Sequence, residues 1–252
     1  DFDRSNRGGT AALVAAVAAV APAARFVQVS SQAAVGPSPD RAGLGPEAEP
    51  RPISAYGRSK LAAERELASL PASVRRVVVR PPAIYGPRDT DVLEFFRMAS
   101  RRLTAAPAGE RWLTVAHVAD VVRGILAAAA TGRDGAIYHV GDPAPETLRR
   151  LLARIAAAGG VRAVHLTVPP PLVSALGAAG SLLHGLGASR LPMTRDKARE
   201  ILARHWVLRT ADSLAALGLG TTTGFDAGAA AAWSWYRRHG WLPGGVIGDR
   251  DR

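Results

Sequence analysis

Residues 25–31 read Arg-Phe-Val-Gln-Val-Ser-Ser, an apolar run that stops abruptly at two serines. The phenylalanine and the valines favour a strand, and the abrupt end predicts a parallel strand that is buried on both faces. A second run of this type occupies 74–80, where Val77-Val78-Val79 forms the centre and two prolines follow. A third occupies 136–140 and ends at a glycine. We take these runs as the strands around which the fold is built.

Helical segments separate these strands. Thr10 is a good N-cap for the first helix, whose residues 11–21 are apolar all round and are therefore predicted to be buried. Strands that alternate with helices at this spacing predict an α/β fold with a parallel sheet, whereas the last third predicts a smaller, mainly helical lobe. The other predicted helices are 55–70, 92–102, 119–130, 147–158, 172–186, 194–204 and 227–239.

The composition excludes several classes of protein. With 252 residues, 48% apolar and 21% charged, the chain matches a globular average and is neither disordered, collagen-like nor a polytopic membrane protein. The apolar run 11–24 is too short for a membrane span and is broken by Pro22, so no membrane partner is expected. The absence of cysteine excludes disulfides, thiolate zinc sites and a cysteine nucleophile. It also suits a reducing compartment, and a cytoplasmic location is expected.

The net charge of +11 raises the question of a nucleic-acid partner. All but two of the 32 cationic residues are arginines, and they are scattered in short pairs at the ends of apolar segments. A basic nucleic-acid-binding protein is therefore kept only as a third hypothesis, and no nucleic acid is expected as a partner.

Three side chains suggest chemistry at the carboxyl end of the first strand, where open α/β sheets bind ligands. Ser31 follows that strand, and Tyr56 and Lys60 are four residues apart, one turn of the predicted helix. A tyrosine has a pKa of about 10, so acid–base work near pH 7 needs a shift of roughly 3 units, or about 4 kcal/mol. We expect the ammonium of Lys60, in a desolvated site, to favour the phenolate. Such a set interconverts an alcohol and a carbonyl, with the hydride supplied by a cofactor.

Five blocks of sequence resemble, in order, the extended short-chain dehydrogenase/reductases of the NAD-dependent epimerase/dehydratase superfamily. They are SSQAAVGP at 30–37, YGRSK at 56–60, RPPAIYGPR at 80–88, HVAD at 117–120 and YHVG at 138–141. The resemblance also includes Asn6-Arg7-Gly8-Gly9-Thr10, where Asn6 would support the site. It implies an enzyme that uses NAD or NADP to oxidise, reduce or epimerise a small molecule at a secondary alcohol or carbonyl.

The resemblance implies roles for individual residues. Tyr56 is the general acid/base, Lys60 its electrostatic partner and ribose ligand, and Ser31 the donor to the substrate oxygen. Pro82 and Ala83 line the nicotinamide, and Gln32 and Arg88 join Ser31 in contacting the substrate. For Arg88 a salt bridge to Asp89 or Asp91 is an equal alternative. No metal site is expected, because His117 and Asp120 have no third ligand at suitable spacing and are better read as packing and capping residues.

Two departures from the family pattern matter. Ala34-Val35-Gly36-Pro37 resembles the hydroxysteroid and flavonol-reductase-like branch rather than members with a Val-Tyr-Gly run. The glycine-rich turn that holds a pyrophosphate has no match, and Gly218–Gly224 is rejected because of its spacing and the lack of a preceding strand. The chain is therefore expected to be N-terminally truncated, with an incomplete doubly wound, Rossmann-like sheet that lacks its first strands and leaves the strand 25–30 with an open edge.

This interpretation divides the chain at residue 142. Residues 1–142 are the C-terminal part of a Rossmann-like NAD(P)-binding domain, with 86–111 contributing to the substrate cleft; 143–243 form the substrate-binding lobe, and 244–252 a disordered tail. The missing pyrophosphate site predicts that the chain alone binds dinucleotide weakly, and the open edge predicts that it associates, with a homodimer as one form. The alternative function is a catalytically inactive relative that keeps the fold as a dinucleotide sensor or scaffold.

Overall fold

The computed structural model describes residues 2–185 and 193–243. A π-helical turn, Arg4–Gly8, precedes the first helix, and a 3-10 turn, Leu67–Ser69, follows the third. The strands are β1 (Arg25–Val29), β2 (Arg75–Arg80), β3 (Ala83–Tyr85), β4 (Leu103–Pro107), β5 (Trp112–Leu113), β6 (Val115–His117), β7 (Ile137–His139), β8 (Glu146–Thr147), β9 (Val164–Val168) and β10 (His205–Trp206). The helices are α1 (Gly9–Val20), α2 (Gln32–Val35), α3 (Ala55–Glu66), α4 (Leu93–Ser100), α5 (Val118–Thr131), α6 (Leu148–Ala158), α7 (Pro170–Gly185), α8 (Arg195–Leu202), α9 (Ala211–Ala216) and α10 (Phe225–Arg238).

The central sheet has the order β1-β2-β7, and both pairings are parallel. Val29 lies opposite Val79 at the carboxyl end of the first pair, and Arg80 lies opposite His139 in the second. Because parallel strands need crossover connections, helices join them on both faces of the sheet. The α/β class and the parallel sheet expected from the sequence are confirmed.

Strand β2 shows how the two faces are used. Val77 and Val79 point to one side, where they pack with residues of α5 and α9. Val78 points to the other side and packs with Val14 of α1 and Leu67 of the 3-10 turn. Successive strand residues face opposite sides, so a run of three valines is what a sheet covered on both faces requires.

Strand β1 lies at the edge of this sheet in the part of the chain that the structure describes, where it pairs with β2 alone. The open edge predicted from the sequence is thus present in the described residues. An unpaired edge exposes backbone N–H and C=O groups that another strand can bind.

Helix α1 differs from its prediction in two respects. Thr10 does not cap it, because the chain is already helical in the π-helical turn before α1. That turn contacts α3 through a hydrogen bond from Asn6. The helix is also not buried on all sides: Leu13 is 60% and Val20 82% exposed, while Val14 is buried. The prediction of full burial was wrong because α1 contacts the sheet and α3 with one side only, and an apolar composition does not specify what covers the other.

The remaining strands build the second half of the molecule. Strand β4 pairs with β9, and β5 lies between β10 and β8, so segments from before and after residue 142 meet in both small sheets. Helices α4, α6 and α10 enclose a core in which Phe96, Trp233 and Tyr236 are buried. The division at residue 142 stays a prediction, and the predicted tail 244–252 lies outside the described residues.

His139 ends β7 in a fully buried position beside Arg80. Burial, together with the charge of Arg80, lowers its pKa to about 4, while the nearby backbone of Arg209 and Leu44 acts in the opposite direction. The ring is therefore neutral in the folded protein across the usual pH range.

This burial predicts acid sensitivity. The unfolded chain protonates His139 near pH 6.5 and the folded chain only near pH 4, so the free energy of unfolding falls as the pH drops through that window, by roughly 3 kcal/mol in total. Urea unfolding at several pH values should show a smaller loss in His139→Asn than in the wild type. His184→Asn, at an exposed position of α7, is the matched control. An equal acid loss in His139→Asn and the wild type would contradict the assignment.

Candidate active site

Ser31 lies immediately beyond the carboxyl end of β1. It caps α2, and the backbone N–H of Ala33 donates to its Oγ over 3.1 Å. The next residue, Gln32, donates its backbone N–H to the carbonyl of Pro81 over 2.8 Å. The serine hydroxyl is thereby fixed between the ends of β1 and β2.

Helix α3 carries the other two candidate side chains. Ser54 caps it by accepting the N–H of Gly57 over 3.1 Å. Gly57 permits a close approach to α2, because a Cβ at this position would lie 2.2 Å from the carbonyl oxygen of Ala33. The glycine therefore sets the distance between the start of α3, including Tyr56, and the segment that holds Ser31.

The structure brings the three candidate side chains to the same edge of the sheet. Tyr56 lies beside Ser31, close enough for the serine side chain to lower the pKa of its phenol. The Nζ of Lys60 donates to the carbonyl oxygen of Val29, the last residue of β1, over 2.7 Å. Both Tyr56 and Lys60 are partly buried.

The electrostatics differ from the sequence-based expectation that Lys60 lowers the pKa of Tyr56. Burial raises the pKa of Tyr56, the side chain of Ser31 lowers it, and the carboxylates of Asp91 and Glu200 raise it further. Burial lowers the pKa of Lys60, and the charge of Glu64 opposes that shift. The reason is geometric: the ammonium is engaged by the strand carbonyl of Val29, so in this state the phenol is held neutral.

Residues before α1 support the helix that carries Tyr56. The Nδ2 of Asn6 donates to the Oγ of Ser59 over 3.0 Å, and that hydroxyl donates to the carbonyl of Tyr56 over 2.8 Å. The ring of Phe2 meets the ring of Tyr56 edge-on, with centroids 5.4 Å apart. Asn6 thus has a supporting position, as the resemblance implied.

Sequence reasoning missed a buried ion pair behind the site. The Nε and Nη2 of Arg80 donate to the two carboxylate oxygens of Glu64 over 2.9 and 2.6 Å. Their side chains are 2% and 7% exposed. Glu64 follows Lys60 by one helical turn, and Arg80 ends β2. The four-residue spacing of Lys60 and Glu64 indicates that both lie on one face of α3, but only the tertiary structure reveals Arg80 as the partner of Glu64.

The remaining implied contacts are distributed around this edge. Gln32 and Pro82 are buried. Pro82 packs closely on Gly141: a Cβ added to Gly141 would lie 2.8 Å from the Cγ of Pro82. Ala83, the first residue of β3, is exposed. The ligand roles of these residues stay predictions.

Arg88 is exposed and has a positive φ of 71°. The neighbouring carboxylate of Asp89 accepts the backbone N–H groups of Val92 and Leu93 over 2.8 and 3.1 Å, so it serves the start of α4. This contact engages one of the two carboxylates considered as ion-pair partners of Arg88. The substrate role of Arg88 stays a prediction.

Two other motifs have structural positions. His117 caps α5 by accepting the N–H of Ala119, and Asp120 accepts from the backbone and the hydroxyl of Thr223. The glycines of 218–224 follow helix α9 rather than a strand, in agreement with the rejection of that segment as a pyrophosphate site.

The family model described as "NAD dependent epimerase/dehydratase family" matches residues 1–141, more than half of the chain. This chain belongs to that family. The assignment confirms the resemblance to extended short-chain dehydrogenase/reductases and the expectation of an enzyme. Members of the family carry the Rossmann-type fold, and the parallel sheet described above fits it.

Two curated relatives are similar along much of the chain. A ceramide reductase from Caulobacter vibrioides is 31% identical over 250 residues, which are 98% of this chain and 72% of the relative. A 4-hydroxy-2-methyl-3-oxo-4-farnesyl-3,4-dihydroquinoline-1-oxide ketoreductase from Stigmatella aurantiaca is 31% identical over 204 residues, 79% of this chain and 60% of the relative.

A solved structure agrees in fold. The NAD complex of dTDP-glucose 4,6-dehydratase from Bacillus anthracis superposes with a TM-score of 0.71 at 18% identity, over 96% of this chain and 70% of the other. In the present structure none of the described helices is both long and apolar enough to cross a bilayer.

The donor set fits the reactive end of a nicotinamide cofactor. Two hydroxyls and an ammonium converge at the carboxyl edge of a parallel sheet, where such folds bind their ligands. Within residues 2–185 and 193–243, no strand leads through a glycine-rich turn into a helix, the arrangement that holds a pyrophosphate. The described residues therefore fit the nicotinamide and ribose end of the cofactor.

In the protein without a bound ligand, Ser31 should influence the pKa of Tyr56. Because the side chain of Ser31 lowers the pKa of Tyr56, Ser31→Ala should raise it further. The pKa is measured by NMR of ¹³C-labelled tyrosine, with the resonance assigned from Tyr56→Phe. The adjacent Ser30→Ala is the matched control, since the Oγ of Ser30 is buried without a hydrogen-bond partner in the described structure. A shift of equal size in both variants would refute the contact.

Gly57→Ala should disrupt the docking of α3. The added Cβ meets a backbone oxygen that cannot move independently, so we expect a loss of about 1–3 kcal/mol in the free energy of unfolding, measured with urea. Gly9→Ala is the control: it lies in helix α1 with open space around it and should gain up to about 1 kcal/mol. Equal stability of Gly57→Ala and the wild type would show that the approach is not constrained.

Proposed function

We propose that this protein is an NAD(P)-dependent oxidoreductase that acts on a secondary alcohol or carbonyl through Ser31, Tyr56 and Lys60. The observation that carries the proposal is the position of Tyr56 beside Ser31, at the carboxyl end of a parallel strand whose last carbonyl accepts the ammonium of Lys60. Membership of an NAD-dependent family supports the cofactor class, NAD or NADP.

Tyr56 is the proton donor to the carbonyl oxygen in the direction of reduction. Burial holds its phenol neutral, so the proton is in place before the carbonyl arrives. A positioned acid of this kind contributes roughly 10²–10⁴-fold to the rate. In the direction of oxidation the same oxygen takes the proton from the alcohol, for which its pKa has to fall.

Ser31 orients the oxygen that reacts. A serine hydroxyl has two acceptor sites and one donor. The N–H of Ala33 occupies one acceptor site, which restricts the rotation of Oγ. The hydroxyl proton is then available to Tyr56 or to a substrate oxygen bound beside it.

Lys60 places a positive charge at the strand end. Its ammonium donates to the carbonyl of Val29, and the charge of Glu64 opposes the lowering of its pKa by burial, which favours a cation near the reacting groups. Tyr56, Lys60, Pro82 and Ala83 would hold the nicotinamide and ribose. The cofactor, when bound, supplies or accepts the hydride.

The substrate we propose is a hydrophobic ketone with a long apolar group. The two curated relatives support this class, because their names specify a ceramide and a farnesylated quinoline. The Val35 branch signature noted in the sequence agrees with an apolar substrate. Epimerisation through a transient ketone uses the same three residues, and the reductase names of both relatives favour reduction.

Two further parts of the interpretation stay proposals. A cytoplasmic location is supported by the absence of cysteine. A homodimer is supported by the open edge of β1 and the exposed side of α1.

Tyr56→Phe tests the mechanism. We expect turnover of long-chain ketones with NADH or NADPH to fall by at least about 10²-fold, while cofactor affinity, measured by fluorescence titration, stays within a factor of about two. The reason is that the change removes only the hydroxyl that moves the proton.

Tyr138→Phe is the matched control for the loss of a phenol hydroxyl. Its hydroxyl accepts the backbone N–H of Arg133 over 3.0 Å and belongs to the β7 region rather than the site. Wild-type turnover in Tyr56→Phe would rule out the mechanism. A wild-type protein that binds cofactor but turns over no alcohol or ketone would favour the inactive, scaffold-type alternative.

A further inference from the structure

Helix α7 presents an apolar surface that nothing in the described structure covers. Leu172, Leu176 and Leu183 are 50%, 50% and 45% exposed, and with Ala179 they follow the spacing i, i+4, i+7, i+11 that places residues on one helix face. We call these four residues the leucine stripe. At 1.5 Å per residue the stripe is about 16 Å long.

A neighbouring face of α7, about a quarter turn from the stripe, is fixed against α8 and the residues before it, so the stripe cannot turn inward. A Cβ at Gly177 would lie 2.5 Å from the Cβ of Ala198, and one at Gly180 would lie 1.8 Å from the carbonyl oxygen of Met193. Two glycines thus bring the helices into close contact, and Val173 on the same side is buried. The exposure of the leucines follows from this packing.

The sequence around α7 has an unusual distribution of charge. No aspartate, glutamate, lysine or arginine occurs from 163 to 189, although the chain as a whole is 21% charged. Cations flank this segment: Arg162 precedes it, and Arg195, Lys197 and Arg199 lie exposed on α8. Acidic groups pair with two of these cations, Glu200 with Lys197 and Asp196 with Arg199.

The strand pair β4–β9, which precedes α7, also combines exposed apolar residues with flanking arginines. Strand β9 exposes Val164 and Leu166, and its partner β4 exposes Leu103. Arg102 and Arg162 are exposed near the start of the two strands. Apolar side chains bordered by arginines are therefore found on both elements.

An apolar helix face with cationic neighbours is the composition that binds the interface of an anionic bilayer, where leucines enter the acyl boundary and cations meet phosphate groups. The net charge of +11 adds a long-range attraction to such a surface. Helix α7 has 16 residues, too few to span the hydrocarbon core, which indicates a position in the plane of the interface.

We propose that the leucine stripe docks this protein onto the surface of an anionic phospholipid bilayer. This goes beyond the sequence-based expectation of no membrane partner, which considered spanning segments only. The surface also adjoins the candidate site: Asp196 of α8 accepts the backbone N–H of Ala55, the residue before Tyr56, over 2.6 Å. That link to catalysis rests on the proposed function, whereas binding to lipid does not.

Vesicle flotation with the whole protein tests the proposal without cofactor or substrate. The wild type should bind vesicles of phosphatidylcholine with about 30% phosphatidylglycerol, bind pure phosphatidylcholine less, and lose binding as salt is raised to about 0.5 M. Replacing the stripe by Leu172→Gln, Leu176→Gln and Leu183→Gln together should lower the bound fraction at least about ten-fold. Because these positions are exposed, the urea midpoint should stay close to that of the wild type.

The matched control removes apolar surface elsewhere. Val122→Gln with Leu126→Gln changes two exposed residues of α5, 49% and 63% exposed, and should leave vesicle binding unchanged. Tyr56→Phe should also bind vesicles as the wild type does, so failure of the catalytic proposal and failure of this one are separate results.

Three results would overturn the proposal. They are absence of wild-type binding to the anionic vesicles, undiminished binding by the triple stripe variant, and equal loss of binding in the α5 variant. Analytical ultracentrifugation without lipid tests whether a second copy of the protein covers the leucines instead. A wild-type dimer that the stripe substitutions dissociate would show that it does.

Discussion

The docking of α3 on the carboxyl end of the central sheet is the contact on which the candidate site depends. One face of this helix makes three successive attachments. Gly57 approaches the backbone of α2, Lys60 donates to the last carbonyl of β1, and Glu64 pairs with Arg80 at the end of β2. A buried ion pair adds little net stability, but removal of one partner leaves an uncompensated charge that costs about 3–5 kcal/mol. The pair therefore acts against any other register of α3 on the sheet, and this register carries Tyr56 to Ser31.

The same burial that fixes α3 also decides the protonation of Tyr56. A phenol transferred away from water resists ionisation, and two carboxylates, Asp91 and Glu200, strengthen this resistance. The side chain of Ser31 acts in the opposite direction, whereas Lys60 donates to the strand carbonyl of Val29. A neutral phenol is the form that a carbonyl reduction consumes, because the acid has to give up a proton. In the proposed mechanism this geometry suits reduction, and oxidation requires a lower pKa at Tyr56.

Local sequence determined the strands and the three candidate side chains, while contacts between distant segments escaped it. The run 25–31 predicted a parallel strand and the serine at its end, because strand propensity and an abrupt polar stop are local signals. The predicted burial of this strand on both faces was wrong, since Val29 is 39% exposed at the edge of the sheet. The partner of Glu64 lies sixteen residues away, and only the packing of α3 on β2 selects Arg80. The role of Gly57 depends on a carbonyl of α2, which no local pattern encodes. The exposed side of α1 escaped prediction for a related reason, since composition reports how apolar a helix is and not which elements reach it.

Helix α8, in the second half of the molecule, contacts the candidate site directly. The carboxylate of Asp196 accepts the N–H of Ala55 in the first turn of α3, where the helix dipole favours a negative charge. Arg58, one turn further along α3, lies 3.8 Å from the same carboxylate. Helix α8 in turn packs on α7 through Gly177 and Gly180, so a displacement of α7 reaches the start of α3 through two closely packed contacts. Because Tyr56 directly follows Ala55, the position of this candidate proton donor depends on α8, which lies far along the sequence.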